Sequence, residues 1–211
     1  MKWLVMLAAC DALVVLFFIA PELIAGVSTT GVAIGRFLTA TAMPVVVLLL
    51  VNVIPSDVKA MLVYWKPLGV LPGSEAFTRY GPRDPRIDWT SLKKNVGTLP
   101  VLPNEQNSKW FKLYKQVINE VEVVEAHKLS LLYRDMAVLS LASLVCVQPV
   151  LFLSNAATSA QWIAICAFAV QYLLTAISAR WSGIRLVCNV LAIHSTRKVS
   201  ARTDSPLKQT S

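Results

Sequence analysis

The stretch that decides the fold runs from Leu99 to Leu153 and reads LPVLPNEQNSKWFKLYKQVINEVEVVEAHKLSLLYRDMAVLSLASLVCVQPVLFL. Its first part is rich in charged residues and has the apolar spacing of an amphipathic helix. The last charges are Arg134 and Asp135, and the next charge along the chain is Arg180. Because the core of a bilayer tolerates few charges, the pattern predicts a helix that leaves water and enters a membrane near residue 135.

The composition agrees with a membrane protein. Of the 211 residues, 55% are hydrophobic and 15% are charged, whereas soluble domains carry about 25% charged residues. Four apolar stretches approach the ~20 residues that a helix needs to cross a bilayer. They are residues 3–20, 37–54, 136–153 and 162–178. We therefore expect an all-α polytopic membrane protein, with four transmembrane helices in two hairpins and a small helical cytoplasmic region between them.

The predicted organisation has four parts. Residues 1–54 form the first transmembrane hairpin, and residues 55–135 form the cytoplasmic helical region, with a long helix from about 108 to 135. Residues 136–180 form the second hairpin. Residues 181–211 form a basic extension of the last helix, followed by a tail whose Ser, Thr, Lys and Arg content predicts disorder.

The distribution of basic residues predicts the orientation. The region 55–135 holds twelve Lys and Arg, and six more follow from Arg180 onward, whereas residues 154–161 carry no charge. By the positive-inside rule, we expect a multi-pass protein of the plasma membrane (a bacterial inner membrane) with both termini cytoplasmic. The net charge of +8 favours anionic lipid headgroups as partners.

The first apolar stretch contains a short motif. Leu7-Ala8-Ala9-Cys10 resembles the lipobox that precedes the lipidated cysteine of bacterial lipoproteins. The apolar pattern continues to Ile19, which favours a retained transmembrane helix over a cleaved signal. The four cysteines have no paired spacing, so neither disulfides, a metal site nor a cofactor is predicted.

Polar residues within the predicted spans are candidates for function. Asp11 lies in the first span, where an acid costs about 2.5–3.5 kcal/mol on insertion scales and normally faces protein or water. Gln148 and Gln171 lie in the third and fourth spans and are able to hydrogen-bond between helices. These three residues are the candidates for lining a pore, and the alternative for Asp11 is a packing contact.

The cytoplasmic region has several local signals. Ser74 is a candidate cap for a short helix, and Pro103 falls in a predicted extended connector. Asp88 is a good N-cap for a helix that Gly97 would end. The long helix has a heptad-like seam that is a candidate assembly face: Trp110, Tyr114, Val117, Val121, Val124 and Leu131. That face must pack either on short aromatic helices carrying Phe77, Tyr80 and Trp89, or on a second subunit, and we favour a homo-oligomer.

A basic cluster lies between the two hairpins. Its members are Arg79, Arg83, Arg86, Lys93 and Lys94. Acidic neighbours such as Asp84 dilute its charge, so contact with anionic headgroups is favoured over nucleic acid.

The sequence contains no glycine-rich phosphate loop, HExxH motif or nucleophile elbow, and we expect no enzyme activity. Asn189 and His194 resemble a degraded form of the RNA-cleaving motif of HEPN proteins, although its usual arginine is missing. That resemblance implies a membrane-bound ribonuclease as a third alternative.

Two functions lead. The first is an oligomeric pore or membrane-perturbing effector whose cytoplasmic helices drive or sense assembly. The second is a membrane anchor or scaffold that recruits a cytoplasmic protein or nucleic acid through residues 55–135.

Overall fold

A computed structural model describes residues 2–19, 46–66, 71–153 and 157–196, without the side chains of residues 17–19. The first part of the predicted second span and the predicted disordered tail lie outside these residues. The regular elements of the described ranges are all helical, which confirms the predicted all-α class for them. The main helices are α1 Lys2–Ile19, α2 Val46–Val53, α3 Ser56–Tyr64, α4 Trp89–Val96, α5 Pro103–Gln116, α6 Val121–Leu153 and α7 Thr158–Thr196.

Two of the described helices, α6 and α7, are long and apolar enough to cross a membrane. They have 33 and 39 residues, and at 1.5 Å per residue each exceeds the ~30 Å hydrocarbon core. Helices α2 and α3 also qualify if they count as one bent span. The predicted total of four spans stays a prediction.

Helices α2 and α3 are separated by a sharp bend of 102°. Pro55 lies in the break, where its ring fixes φ at −58° and it has no N–H to continue the ladder of α2. Its carbonyl oxygen then accepts the Lys59 N–H at 3.1 Å and opens α3. The two helices therefore meet at a nearly right-angled corner.

The chain divides into two compact units. The membrane unit comprises Met1–Val70 and Lys128–Ser182, and the helical unit comprises Leu71–His127 and Gly183–Ser211. The described residues of the membrane unit form two buried apolar clusters, one around Val63 and Leu139 and the other around Phe168 and Leu151.

The helical unit has one buried core, in which α5 is central. Trp110 and Tyr114 stack at 5.5 Å between ring centroids and share the core with Phe77 and Leu92. The remaining wall comes from the last part of α7, including Leu191. Burial of this kind is the main force that holds a small helical unit together.

Residues 72–83 form three short helical turns, Pro72–Glu75, Ala76–Tyr80 and Gly81–Arg83. The second covers most of the short helix predicted after Ser74, but it is a wide π-type turn, and Ser74 lies in the turn before it without capping it. Gly73 lies so close to α5 that a Cβ atom would come within 2.8 Å of Trp110 Cε3. Because two prolines and this close approach constrain the segment, a regular helix does not form there.

Gln106 fastens these turns to α5. Its side-chain oxygen accepts the Phe77 N–H at 3.0 Å, and its amide nitrogen donates to the Val101 carbonyl at 2.6 Å. The residue is only 1% exposed. The prediction for α4 is confirmed: Asp88 accepts from the N–H groups of Thr90 and Ser91, and Gly97 ends the helix with φ +78°.

The predicted long helix from about 108 is two helices in the structure. Helix α5 begins at Pro103, which takes the first helical position instead of lying in a connector. It ends at Gln116, and the Glu120 N–H bonds to the Val117 carbonyl in the turn before α6. The break contains two consecutive β-branched residues, Val117 and Ile118, and then Asn119. All three are weak helix formers.

Candidate functional site

Four polar side chains of the membrane unit form one hydrogen-bonded group, the intramembrane cluster: Asp11, Ser140, Ser143 and Gln171. Ser143 Oγ donates to Asp11 Oδ2 at 3.0 Å, and Gln171 Nε2 donates to Asp11 Oδ1 at 3.0 Å. Gln171 Nε2 also donates to Ser140 Oγ at 3.1 Å. The cluster joins α1, α6 and α7, and Asp11 is 4% exposed.

This geometry brings together two of the three predicted intramembrane residues. Asp11 and Gln171 are in direct contact, and both carboxylate oxygens of Asp11 are occupied within one chain. The two serines were missed from the sequence, although their i, i+3 spacing on one face of a charge-free helix is a usable signal. The contacts are those expected of side chains that hold helices together in lipid.

Gln148 lies apart from the cluster. It follows Ser143 by five residues on α6, which places it about 140° around the helix at 100° per residue. Its Nε2 atom is buried and has no hydrogen-bond partner among the described residues. An unsatisfied amide is costly in an apolar medium.

A second group, the boundary triad, lies where the charges of α6 end: Lys59, Arg134 and Asp135. Lys59 Nζ is 3.2 Å from Asp135 Oδ1, and Arg134 Nη2 lies 3.2 Å from the same oxygen. The Lys59 side chain is 9% exposed and the Arg134 side chain 22%. Two cations therefore share one carboxylate in a largely buried setting.

A third group of polar contacts lies at the C-terminal end of α3, where side chains of α7 bind the last turn. Trp65 has a left-handed φ of 53°, and its indole N–H donates to the Tyr172 hydroxyl at 2.7 Å. Tyr172 in turn donates to the Leu62 carbonyl, and Arg180 Nε donates to the Val63 carbonyl, both at 2.7 Å. The Arg180 guanidinium also lies 3.7 Å above the Trp65 ring. These contacts satisfy carbonyls that a helix end leaves without partners.

In the helical unit, acidic neighbours neutralise part of the predicted basic cluster. Arg79 pairs with Glu75 at 3.0 Å, and Arg86 pairs with Asp84 at 2.7 Å. Hydrogen bonding from Arg86 lowers the pKa of Asp84 to about 2 and, reciprocally, raises the pKa of Arg86.

The other three members of that cluster, Arg83, Lys93 and Lys94, lie exposed. Contact between these three residues and anionic headgroups stays a prediction. The unpaired positive charge available for it is smaller than the five residues suggest, because the other two are in ion pairs.

The two residues of the HEPN resemblance make structural hydrogen bonds. Asn189 accepts from Arg86 Nη1 and donates to the Glu122 carbonyl, both at 3.1 Å. His194 is 2% exposed, and its Nε2 atom is 3.1 Å from the Leu113 carbonyl. A carbonyl only accepts, so Nε2 carries the proton and donates. These contacts support a packing role for both residues.

The six residues of the predicted assembly face fall on two helices and on the turn between them, which contains Val117. Trp110, Tyr114 and Val117 are buried in the core of the helical unit, in one cluster with Phe77. Val124 is half-buried. Val121 and Leu131 are exposed, at 70% and 38%. The break between α5 and α6 changes the helix register, so the heptad spacing does not continue across it.

An open groove of about 780 Å³ lies beside α5 in the helical unit. Asn104, Ser108, Lys112 and Gln116 recur every four residues and so line it along one face of α5. The opposite wall is the segment after α4, which Lys109 Nζ fastens by donating to the carbonyls of Val96 and Thr98. We call this feature the α5 groove.

Within the described ranges, no three His, Cys, Asp or Glu side chains are grouped so that they could hold a metal ion. No family model matches the sequence, and no curated protein or solved structure matches it either.

Proposed function

We propose that this chain is a non-enzymatic, four-span membrane protein that recruits a cytoplasmic protein through the α5 groove. Helices α6 and α7 supply two spans, α1 supplies a third of 18 residues, and the stretch 37–54, which includes α2, supplies the fourth. The charge distribution puts both charged regions in the cytoplasm.

The observation that carries this proposal is the α5 groove. Its volume is within the ~300–1,000 Å³ range of ligand sites. The side chains of Glu105, Ser108, Lys112 and Gln116 are exposed on it and do not contribute to the core. Hydroxyl, amide and mixed charged groups of this kind match the backbone and side chains of a peptide segment.

A protein partner is favoured over nucleic acid because of charge. The groove sets two lysines against Glu105, and two arginines of the basic cluster are already paired. Nucleic acid binding depends on a continuous surplus of Lys and Arg along the contact surface.

Site-specific photo-crosslinking of the full chain in cells tests the proposal. A crosslinker at Ser108 in the groove should give a discrete product, whereas one at Thr90, exposed outside the groove, should not. Lys112→Glu should abolish the product, and Lys94→Glu, on exposed α4, should leave it. Equal products from Ser108 and Thr90, or none from Ser108, would refute recruitment by the groove.

The topology has a separate test. Reporters fused at Asn155 and after Ser211 should report opposite sides of the membrane. Residue 155 lies outside the described residues. Reporters on the same side would remove the two-hairpin topology.

An oligomeric pore is the second candidate function, and Gln148 is the observation that favours it. Its buried amide nitrogen has no partner among the described residues, and rotation of α6 within an assembly would bring it to water. By contrast, the closed hydrogen bonding of Asp11 supports a role in joining helices. Vesicles carrying the full chain should then leak dye, and Gln148→Leu should reduce leakage while Val170→Leu should not. Vesicles that stay tight with the wild-type chain would exclude a pore.

A further inference from the structure

An apolar groove of about 500 Å³ runs along the outside of the membrane unit. Its described lining is apolar throughout and includes Leu50, Val53, Leu62, Val138, Ala142 and Val145. The lining comes from both arms of the α2–α3 bend and from the first turns of α6 beyond Asp135. We call this feature the bend groove.

The boundary triad lies one helical turn from the bend groove. Arg134 precedes the lining residue Val138 by four positions on α6, and Lys59 precedes Leu62 by three on α3. Residues at these spacings share a helix face. The cationic side chains therefore stand at one end of the groove, at the level where the charges of α6 stop.

The triad carries a surplus of one positive charge. Lys59 and Arg134 both pair with a single oxygen of Asp135, so two cations face one anion. A largely buried cation without a full counter-charge is unfavourable. One more negative group at Arg134 would neutralise the site and add charge-assisted hydrogen bonds.

The shape and the charge together fit one class of molecule. We propose that the bend groove binds an acyl chain of an anionic phospholipid whose phosphate pairs with Arg134. The apolar lining accommodates the acyl chain, and the triad lies at headgroup depth, next to Met136, where the charge-free part of α6 begins. Basic groups between membrane helices commonly hold lipid headgroups in this way.

This inference rests on the membrane placement proposed above, and its failure is distinguishable from failure of that placement. A protein that fractionates as soluble would contradict both the membrane placement and the lipid site. A protein that is membrane-bound but has no lipid preference would contradict only the lipid site.

Native mass spectrometry of the full chain tests the site. The purified protein is mixed with equal phosphatidylglycerol and phosphatidylcholine, and the lipids retained per chain are counted. We expect one retained phosphatidylglycerol and at least a tenfold preference for it, because phosphatidylcholine has the same phosphate but its trimethylammonium group cancels the negative charge that the two cations of the triad attract.

Two variants test the binding of the lipid headgroup and of the acyl chain separately, each with a matched control. Arg134→Gln keeps the Lys59–Asp135 pair and should bring the preference close to one, whereas Lys128→Gln, exposed on the same helix, should keep it. Val145→Trp fills the groove and should lose the retained lipid, whereas Val170→Trp, an exposed valine on α7, should keep it.

Three results would overturn the proposal. The first is equal retention of the two lipids by the wild-type chain. The second is a Val145→Trp protein that retains lipid as the Val170→Trp protein does. The third is a dimer that Val145→Trp converts to a monomer, which would assign the groove to a second copy of the chain. The circular dichroism spectra of both tryptophan variants must match that of the wild-type protein, which shows that the variants fold. If Val145→Trp does not fold, Arg134→Gln tests the site independently.

Discussion

Replacing Gln106 with methionine should destabilise the helical unit by about 2–4 kcal/mol. The side chain is 1% exposed and bonds both the Phe77 N–H and the Val101 carbonyl. A thioether of similar size replaces neither bond, and each buried polar group left unpaired costs about 1–3 kcal/mol. The costs of the two unpaired groups add, and the added apolar burial of methionine offsets part of their sum. We therefore expect a loss in the lower half of the summed range.

Limited proteolysis of the full chain in detergent measures this change. When the unit opens and closes faster than it is cut, the cleavage rate follows the population of the open form. Because 1.4 kcal/mol corresponds to a factor of ten, cleavage within 71–127 should accelerate about 30-fold or more. Gln116→Met is the matched control, since Gln116 is exposed on the same helix and its change should stay within about 0.5 kcal/mol. Equal cleavage of the two variants would refute the assigned role of Gln106.

Two further predictions concern the same unit. Arg86→Gln removes the ion pair with Asp84, which contributes less than about 1 kcal/mol above about pH 4 because the Arg86 side chain is 54% exposed, and it also removes the pH-independent hydrogen bond to Asn189. The pKa of Asp84 is about 2 in the folded chain, below its ordinary value of 3.8. The loss should therefore shrink as the pH falls towards 2, as urea unfolding followed by circular dichroism will show. Gly73→Ala should cost about 1–3 kcal/mol in thermal unfolding, because its Cβ atom would overlap α5.

Each of these predictions has a control within the chain. Arg83→Gln removes an exposed arginine from the same cluster, and its effect should not change over the same pH range. A loss for Arg86→Gln that persists undiminished near pH 2 would contradict the pairing with Asp84. Gly97→Ala meets open space but has a positive φ, so it reports backbone strain of about 1 kcal/mol without a clash. Unchanged stability of Gly73→Ala would contradict the close approach to α5.

The features that were predictable from the sequence are those with a local cause. Helix α4 and its boundaries follow from Asp88 and Gly97, whose capping roles depend on neighbouring residues alone. The apolar parts of α6 and α7 follow from the run of residues without charge between Asp135 and Arg180. Asp11 was recognisable because an acid in an apolar stretch is rare.

The contacts that were not predictable join distant parts of the chain. Lys59 was counted only as a cytoplasmic charge, yet it pairs with Asp135, 76 residues away. Gln106 has the sequence context of a surface position in a polar helix, and only the packing of residues 72–83 on α5 buries it. The break after Gln116 interrupts a good heptad pattern, because core packing of Trp110 and Tyr114 outweighs the continuity of the repeat.

The intramembrane cluster also sets an order of events during synthesis. Asp11 leaves the ribosome before its partners Ser143 and Gln171, which follow 132 and 160 residues later. At about 5–20 residues per second, the acid waits roughly 8–30 s for its last hydrogen bond. Until then the Asp11 carboxylate lacks the two donors that bind it in the folded chain, so it must be hydrated or bonded to other groups.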